Sequence, residues 1–337
     1  MAINTANKKR ELGQFFTKKN LWLLPQVLQF IKKSGAEIAF DPFAGTGDLL
    51  SIGKDIGFKK TIGYDIDPLL GWQHNDSLRS IPRIKNSIII TNPPYLTNYS
   101  AKRKKIYENV EKYFASCSYD DLYQLALEKC FSNDFGVVII PETFINSSFP
   151  KNRLTSITIL EDNPFEDTET PVCVVCFDNK NKQHESINIY KNDKLLGDLG
   201  YFEKMRRKPH KNIYVKFNSL NGQIALRAVD TTNPQKPISF MRKEDIDYDM
   251  TTIKYSSRLI TLIEIKAEQK VIDRVIEHSN SLLLDFRKKT CDILLSPFKG
   301  NKKNGERRRR LDYLTARAIL EDACDLADDG LRSKLFN

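Results

Sequence analysis

The sequence predicts an α/β chain with a mostly parallel sheet in its first half and a basic second domain. Strand-length apolar runs alternate with helical patterns along the first half, and a glycine-rich turn follows one of these runs. The 337 residues include 53 Lys+Arg and 43 Asp+Glu, a net charge of +10. This length exceeds the roughly 100–200 residues usual for one domain, so we expect two domains.

The first half contains six predicted strands and three predicted helices. The strands are short apolar or β-branched runs: Glu37–Asp41, Thr61–Asp65, Ser87–Thr91, Gly136–Pro141, Leu154–Leu160 and Val172–Phe177. The helices are Leu21–Ser34, which Gly35 ends, Asp48–Gly57 and Ser118–Ser132. Alternating βα units favour a parallel sheet with helices on both faces, and ligands bind at the carboxyl ends of such strands.

The composition changes at the polar stretch Asp178–Glu185, so we predict domains of residues 1–179 and 180–337. The second domain has weaker periodicity, typical of a mixed α+β unit. It should contain a long helix over Ser256–His278 and a last helix over Arg307–Asp329, closed by Gly330.

The charge is segregated along the chain. Residues 1–179 hold 21 basic and 21 acidic residues, while residues 180–337 hold 32 and 22. A basic module is typical of a polyanion binder, although a solvated basic surface is the alternative. Cations at a helix start oppose the helix dipole, which favours a phosphate contact for the run 307–310. The candidate nucleic-acid contacts are Arg206, Arg207, Lys208, Lys302, Lys303, Arg307, Arg308, Arg309 and Arg310.

Several protein classes are disfavoured. No run of about 18 apolar residues exists, so we predict no membrane span, and the polar, basic start of the chain does not read as a signal peptide. Six scattered cysteines are typical of a cytoplasmic protein. Cys173 and Cys176 read as buried thiols, since no second pair completes a zinc site, and we expect no metal.

Two motifs are typical of a nucleoside site. Asp41–Asp48 (DPFAGTGD) lies between a strand and a helix, where glycines allow a tight turn and close approach of a ligand. Asp65 ends the next strand, 18 residues after Gly47, where a carboxylate can accept from both ribose hydroxyls. An ordinary βα turn with a solvated carboxylate is the alternative. Leu50 replaces the third glycine of a dinucleotide fingerprint.

The third motif, Asn92-Pro93-Pro94-Tyr95, follows the strand Ser87–Thr91. Two prolines fix the backbone and remove two N–H donors, so the Asn92 side chain and the Pro93 carbonyl can accept from both hydrogens of one amino group. The Tyr95 ring offers a face to a planar group. Two such acceptors favour the charge that develops when a conjugated amino group attacks an electrophile. A proline-rich turn is the alternative.

In this order, with Gly13–Thr17 upstream, the motifs resemble the gamma group of amino-methyltransferases of type II restriction-modification systems. The resemblance covers the first half of the chain, through Asp121–Tyr123 to Val172–Phe177. It implies a class I S-adenosylmethionine-dependent methyltransferase fold, with a Rossmann-like, mostly parallel seven-stranded sheet whose last strand is reversed. It also implies a C-terminal target-recognition domain.

The resemblance also implies roles for individual residues. The cofactor is S-adenosylmethionine, and the resemblance places Phe16 and Thr17 over its methionine part and Asp41 at its amino group. The loop residues are Pro42, Gly45 and Gly47, and Asp65 is at the ribose. Ile66 and Asp76 are at the adenine, and Asn92 borders both the cofactor site and the target site. For the target amino group they are Asn92, Pro93, Pro94 and Tyr95. Phe177 matches an aromatic residue that stacks on a flipped base, with Phe165 and Phe144 as competitors and a plain core role as the alternative.

The implied function is methylation of adenine N6 at a specific site in double-stranded DNA, with base flipping, in a restriction-modification system whose endonuclease would act on the same site. We expect a monomer. Cytosine C5 chemistry needs a Pro-Cys dipeptide, which is absent, and N4 enzymes usually carry Ser-Pro-Pro. In the alpha group of these enzymes a large domain lies between the glycine loop and the tetrapeptide. Only 51 positions separate Asp41 from Asn92, which are too few for such a domain. An RNA amino-methyltransferase, a protein glutamine N5-methyltransferase and a non-catalytic DNA-binding protein are the alternatives.

Overall fold

A computed structural model describes residues 20–165, 168–210, 213–247 and 259–335. The chain divides into two compact units, Met1–Tyr201 and Phe202–Asn337. The first unit is built on one large sheet. The second contains a smaller sheet, a two-stranded hairpin and two long helices.

The sheet of the first unit has nine strands in the order β3-β2-β1-β4-β5-β7-β6-β8-β9. Its first five strands in that order are mutually parallel, and β7 runs antiparallel to both of its neighbours. This order with a reversed β7 is the class I methyltransferase sheet, so the fold prediction is confirmed. The hairpin β8–β9 extends the sheet beyond the seven predicted strands. The strands are β1 Ile38–Asp41, β2 Lys60–Asp65, β3 Gln73–His74, β4 Ser87–Thr91, β5 Gly136–Pro141, β6 Leu154–Ile159, β7 Val172–Phe177, β8 Asn188–Lys191 and β9 Lys194–Asp198.

The described residues contain five α-helices within the first unit and a sixth, α6, that crosses the division between the units. They are α1 Pro25–Ser34, α2 Asp48–Ile56, α3 Asn98–Arg103, α4 Tyr107–Phe114, α5 Leu122–Cys130 and α6 Leu199–Lys204. Helix α1 begins with a proline, whose missing N–H would have no helical partner there. It ends at Gly35, which adopts φ +64° and donates its N–H to the Lys32 carbonyl.

The central strand β4 is buried along its whole length, as expected of a parallel strand covered on both faces. Ile88 and Ile90 pack in a cluster with Trp22 and Val27. A second cluster, built around Leu96 and Phe114, contains residues of α3, α4 and α5. Helices therefore cover the edge of the sheet at which the predicted motifs lie.

The division between the units falls later than the predicted end of the first domain at residue 179. Strand β8 pairs in parallel with β6, and β9 pairs with β8, so both strands belong to the first unit. The polar stretch after Phe177 is a connection inside that unit, and Lys182 donates its N–H to the Asn152 carbonyl there. Residues 202–337 still hold 28 basic and 19 acidic residues, which leaves +9 in the second unit.

The second unit is a mixed α+β structure. Its antiparallel sheet has the order β10-β13-β11-β12, and β14 pairs with β15 as a hairpin. The elements are β10 Val215–Phe217, β11 Ile224–Arg227, β12 Ser239–Arg242, β13 Ile260–Ile265, α7 Gln269–Thr290, β14 Ser296–Asn301, β15 Arg307–Arg310 and α8 Tyr313–Leu335.

Two helix predictions for this unit were wrong. The helix predicted over Ser256–His278 begins at Gln269, because Ile260–Ile265 is the strand β13 in the sheet. The run Arg307–Arg310 is the strand β15, and the last helix begins only at Tyr313. These arginines lie in a strand and therefore do not oppose a helix dipole.

Candidate functional site

The three sequence motifs meet at one edge of the first unit's sheet. Strands β1, β2, β4 and β5 are parallel, so their carboxyl ends lie at a common edge. Asp41 ends β1, Asp65 ends β2 and Asn92 follows β4 directly. The topology therefore brings together residues that are 24 to 51 positions apart in the sequence, at the edge where ligands of such sheets bind.

Asp41 is a buried carboxylate, and its hydrogen-bond partners among the described residues include no cation. Its Oδ1 accepts from the Phe43 N–H at 3.0 Å and from the Thr91 hydroxyl at 2.5 Å. Burial raises the pKa of Asp41 to about 7, against the lowering effect of these two hydrogen bonds. A cationic group placed beside it would favour its ionised form, so the site is suited to an ammonium ligand.

Asp65 connects β2 to the glycine loop. Its Oδ2 accepts from the Gly45 N–H at 2.9 Å, and its Oδ1 accepts from the Asp67 N–H at 2.9 Å. Each carboxylate oxygen has a second lone pair, so both can also accept from a ligand hydroxyl. Gly45 and Gly47 have φ of +52° and +86°, conformations that favour glycine.

Trp72 lies against the glycine loop, a contact that no motif in the sequence indicated. Its Nε1 donates to the Gly45 carbonyl at 2.8 Å. A methyl group added at Gly47 would lie 2.7 Å from the indole ring, and one at Gly63 would lie 2.6 Å from it. Gly47 and Gly63 therefore leave room for Trp72, whereas the sequence had suggested that Gly47 leaves room for a ligand.

The two predicted adenine contacts differ in their surroundings. Ile66 is 46% exposed, as a residue open to a planar ligand should be. Asp76 Oδ2 accepts from the Tyr113 hydroxyl at 3.0 Å and lies 3.2 Å from Arg79 Nε and 3.6 Å from Lys112 Nζ. These contacts all use Oδ2, so Oδ1 is the oxygen that would face an adenine amino group.

The Tyr95 hydroxyl of the tetrapeptide lies between two acceptors, one in the tetrapeptide and one in β5. The Tyr95 hydroxyl lies 2.5 Å from Asn92 Oδ1 and 2.9 Å from the Ile139 carbonyl oxygen. It has one proton, so it donates to one of these acceptors at a time. Pro93 is buried, and neither Pro93 nor Pro94 has an N–H to donate. Burial raises the pKa of Tyr95, so its hydroxyl keeps its proton at neutral pH.

The aromatic neighbours of Tyr95 are Tyr123 and Phe165, with ring centroids 6.4 Å and 6.3 Å away in edge-to-face contacts. Phe177 is not among them. It pairs with Gly136 at the amino end of β5 and is fully buried, because β7 runs away from the motif edge. The assignment of Phe177 to base stacking was therefore wrong. Of its two competitors, Phe165 contacts Tyr95, while Phe144 contacts Tyr123.

Asp121 is a half-buried residue near the tetrapeptide, and the Oδ1 atom of its carboxylate is buried. It forms an isolated bridge with Thr97, and it precedes α5 without capping that helix through its side chain. Its Oδ1 has no hydrogen-bond partner among the described residues, and burial raises its pKa to about 7. The sequence placed Asp121 in a family segment without giving its carboxylate a role.

The predicted cofactor contacts Phe16 and Thr17 lie outside the described residues. Where the chain is described, no three His, Cys, Asp or Glu side chains are grouped as metal ligands would be. In the same ranges, no helix is both long enough and apolar enough to cross a membrane.

In the second unit, much of the basic run stabilises the unit itself. Asp230 is fully buried and accepts from Arg287 at 2.9 and 3.0 Å. Arg309 is only 3% exposed and donates its N–H to Asp230 at 3.0 Å, so its assignment to a nucleic-acid surface was wrong. Arg308 donates to the Asp230 carbonyl at 2.7 Å, and Lys302 lies 3.8 Å from the same carboxylate.

The other predicted nucleic-acid contacts fall into three groups. Arg206 pairs with Glu203 at 2.9 Å, and Arg207 pairs with Asp322 at 2.5 Å. Arg307 and Arg310 are half-buried in β15. Lys208 and Lys303 are exposed, and neither forms an ion pair within the described ranges. These two lysines are the clearest candidates for phosphate contacts in this unit.

Comparison with known proteins found no matching family model, and no curated protein matched by sequence. Solved structures do match, among them three methyltransferases. A class I S-adenosylmethionine-dependent methyltransferase of Listeria monocytogenes, described as putative, is 15% identical (TM-score 0.35), and the match covers 50% of this chain and 64% of that one. A type I restriction-modification methyltransferase subunit of Streptococcus thermophilus is also 15% identical (TM-score 0.37), and the match covers 53% of this chain and 47% of that one. An RNA methyltransferase of Pyrococcus horikoshii, also described as putative, is 18% identical (TM-score 0.32), and the match covers 52% of this chain and 91% of that one.

The chain covers less than two thirds of the length of the first two of these structures. Identities of this size concern the fold alone, which the strand order already establishes. The choice of substrate must therefore be argued from the site.

Proposed function

We propose that this chain is an S-adenosylmethionine-dependent DNA methyltransferase that modifies adenine N6 at a specific duplex site. One observation carries the proposal. The acceptor pair of Asn92-Pro93-Pro94-Tyr95 lies at the same sheet edge as Asp41 and Asp65, the two carboxylates suited to an ammonium group and a ribose. This arrangement supports an amino-group site and a nucleoside site at one edge of the sheet.

The residues at this edge fit the cofactor. Asp41 is buried and has no cationic partner in the part of the chain that the structure describes, so the cofactor's ammonium group would supply the charge that stabilises its ionised form. Asp65 has a lone pair on each oxygen for the ribose hydroxyls, and Ile66 is exposed toward solvent for the adenine. When bound, the cofactor supplies an electrophilic methyl group on a sulfonium. Phe16 and Thr17 would cover its methionine part.

The Tyr95 hydroxyl would help to orient the Asn92 side chain for the target amino group, because it lies 2.5 Å from Asn92 Oδ1 and 2.9 Å from the Ile139 carbonyl oxygen. An amide oxygen has two lone pairs, so Asn92 Oδ1 can accept from the Tyr95 hydroxyl and from a target amino group together. Asn92 Oδ1 and the Pro93 carbonyl would then orient the amino group and stabilise the positive charge that develops on it during attack.

The target base must leave the duplex to reach this site. We propose Phe165, in place of Phe177, as the second aromatic residue beside the flipped base, because its ring lies against Tyr95. A base stacked between the two rings requires them to open from their edge-to-face contact. Stacking on aromatic side chains is worth about 1–3 kcal/mol per base, which offsets part of the lost stacking in the duplex.

Duplex DNA is favoured as substrate by the charge of +9 in residues 202–337 and by the exposed Lys208 and Lys303. The second unit would then be the target-recognition domain, with a cognate endonuclease acting on the same site and the chain working as a cytoplasmic monomer. A protein glutamine N5-methyltransferase needs the same two acceptors but gains nothing from a basic unit. An RNA amino-methyltransferase would gain as much from it and is the second candidate.

Transfer of a tritiated methyl group tests the proposal. The purified chain is incubated with labelled S-adenosylmethionine and, separately, with unmethylated genomic duplex DNA, with transfer RNA and with a whole-protein extract. We expect label in DNA and N6-methyladenine after its digestion. Label in RNA or protein with none in DNA would contradict the proposal, and sequencing of the modified DNA would reveal the recognition site.

A further inference from the structure

The first unit has its own basic segment, which its balanced net charge conceals. Lys102, Arg103, Lys104 and Lys105 are consecutive and all exposed. They lie at the end of α3 and directly after it, seven to ten residues beyond Tyr95. We call these four residues the basic ridge. The ridge contains no acidic residue, so four like charges are held together at the surface.

Most of the ridge has no counter-ion of its own. Lys102 lies over the Tyr107 ring, with its Nζ 4.8 Å from the ring centroid. In the described ranges no carboxylate pairs with Lys102, Arg103 or Lys105. Other basic residues of this unit do form ion pairs, such as Arg83 with Asp134 at 2.7 Å. Adjacent like charges repel each other, so an external anion would stabilise the ridge.

The ridge is built on a rigid support beside the candidate site. Ala101 is fully buried in the cluster around Leu96 and Phe114, which also includes Leu78, two residues after Asp76. Phe43, two residues after Asp41, packs against the same cluster. The helices that carry the ridge therefore contact the neighbours of two predicted cofactor ligands on their inner side, while the four basic side chains face solvent.

We infer that the basic ridge binds backbone phosphates of duplex DNA next to the flipped nucleotide. This inference rests on the proposed function and extends it, because it assigns part of the DNA contact to the catalytic unit. Phosphate contacts fix the position of a protein on the duplex without reading its sequence. The ridge would hold the phosphates that flank the flipped base in the same compact unit that carries Asn92, which would position the base at Asn92.

The test compares two double variants of equal charge change. Arg103→Gln/Lys105→Gln removes two ridge charges and spares Lys102, which packs on a ring. Lys32→Gln/Lys33→Gln removes two exposed charges at the end of α1, which leads into the amino end of β1 at the opposite sheet edge. Binding of each full-length protein to a fluorescent 25-base-pair duplex is measured by anisotropy over a range of salt concentrations, and cofactor binding by calorimetry confirms folding.

Each phosphate contact contributes about 0.9 to the slope of log K against log salt concentration. We expect the ridge variant to lose about 1.8 from this slope, with unchanged cofactor affinity, and the α1 variant to match wild type. If wild type binds and methylates DNA but all three proteins have the same slope, the basic ridge does not bind phosphates. The proposed function would then remain intact. A wild-type protein that neither binds nor methylates the duplex would overturn both.

Discussion

Two fully or almost fully buried aspartates, one in each unit, have opposite electrostatic environments. Asp230 accepts two hydrogen bonds from Arg287, and although burial alone would raise its pKa, this partner holds the pKa below its ordinary value. Asp41 accepts from a hydroxyl and a backbone N–H, and burial raises its pKa to about 7. Burial is thus similar, and the presence of a cationic partner decides the direction of the shift.

The comparison indicates what each carboxylate is for. Asp230 joins Arg287, Arg309 and Lys302 into one network that holds β15 to the rest of the second unit. Such a group stabilises the fold and needs no ligand. Asp41 reduces the stability of the ligand-free protein when it is ionised, and a cationic ligand would relieve this cost. A buried carboxylate without a cation is therefore the better indicator of a functional site.

The largest expected effect is on the paired carboxylate. Asp230→Asn leaves Arg287 with Asp292 as its acidic partner and places an amide N–H₂ opposite the Arg309 N–H. Breaking a buried pair costs about 3–5 kcal/mol, so chemical denaturation should show a loss of that size in the free energy of unfolding at pH 7. The control is Asp285→Asn, which removes an exposed ion pair with Lys289. This variant should change the free energy of unfolding by about 0.5 kcal/mol. Equal losses would show that Asp230 has no special role.

The isosteric change at the unpaired carboxylate should act in the opposite direction. Asp41→Asn keeps the Oδ1 that accepts from Phe43 and Thr91 but removes the buried charge. A raised carboxyl pKa opposes folding above pH 7, and this effect disappears as pH falls toward 4. We expect a higher melting temperature at pH 8, a smaller gain at pH 5, and a loss of cofactor affinity of about 10- to 100-fold. A lower melting temperature at pH 8 would contradict this account of Asp41.

The third prediction concerns the pH dependence of cofactor binding. The cofactor's ammonium group should bind the ionised form of Asp41, which is dominant at pH 8 and about one tenth populated at pH 6 when the pKa is about 7. Affinity should therefore fall about tenfold from pH 8 to pH 6. Calorimetry on the Asp41→Asn variant controls for titration of the ligand and of Asp121. The affinity of this variant for the cofactor should change less between pH 8 and pH 6. A parallel fall in both proteins would exclude Asp41 as the titrating group.

The smallest effect is expected from the exposed charges of the second unit. Lys208→Gln/Lys303→Gln should weaken duplex binding by a few fold and lower the salt slope by about 1.8, because two phosphate contacts are lost. Lys289→Gln, whose lysine pairs with Asp285 in the same unit, should leave the slope unchanged. If the double variant binds with the wild-type slope, these lysines are solvated surface residues.

Most of the fold of the first unit was predictable because six of its strands are short apolar or β-branched runs and each motif follows one of them. The bounds of β4, β5 and β7 agree with the sequence prediction to the residue. The hairpin β8–β9 was missed because its strands are partly exposed and its sequence is polar. In the second unit the pattern of the run 307–310 is the same for a helix and a strand, since four arginines have no periodicity.

The errors in the site arose from contacts distant in sequence. Phe177 ends an apolar strand that follows the motifs, but the reversed direction of β7 puts Val172 at the site edge, paired with Pro141. The role of Arg309 depends on Asp230, 79 positions earlier. Trp72 belongs to no motif, and only the fold shows that it fills the space left by Gly47 and Gly63.

The most direct test of the central claim compares Asn92→Ala with wild type in two assays, methyl transfer to duplex DNA and binding of S-adenosylmethionine. Removing one acceptor aimed at developing charge typically lowers the rate by about 10²–10³-fold. We predict a loss of at least that size in methyl transfer, with cofactor affinity within a few fold of wild type. Methyl transfer at the wild-type rate, or a loss of cofactor binding as large as the loss of activity, would contradict the assignment of Asn92 to the target amino group.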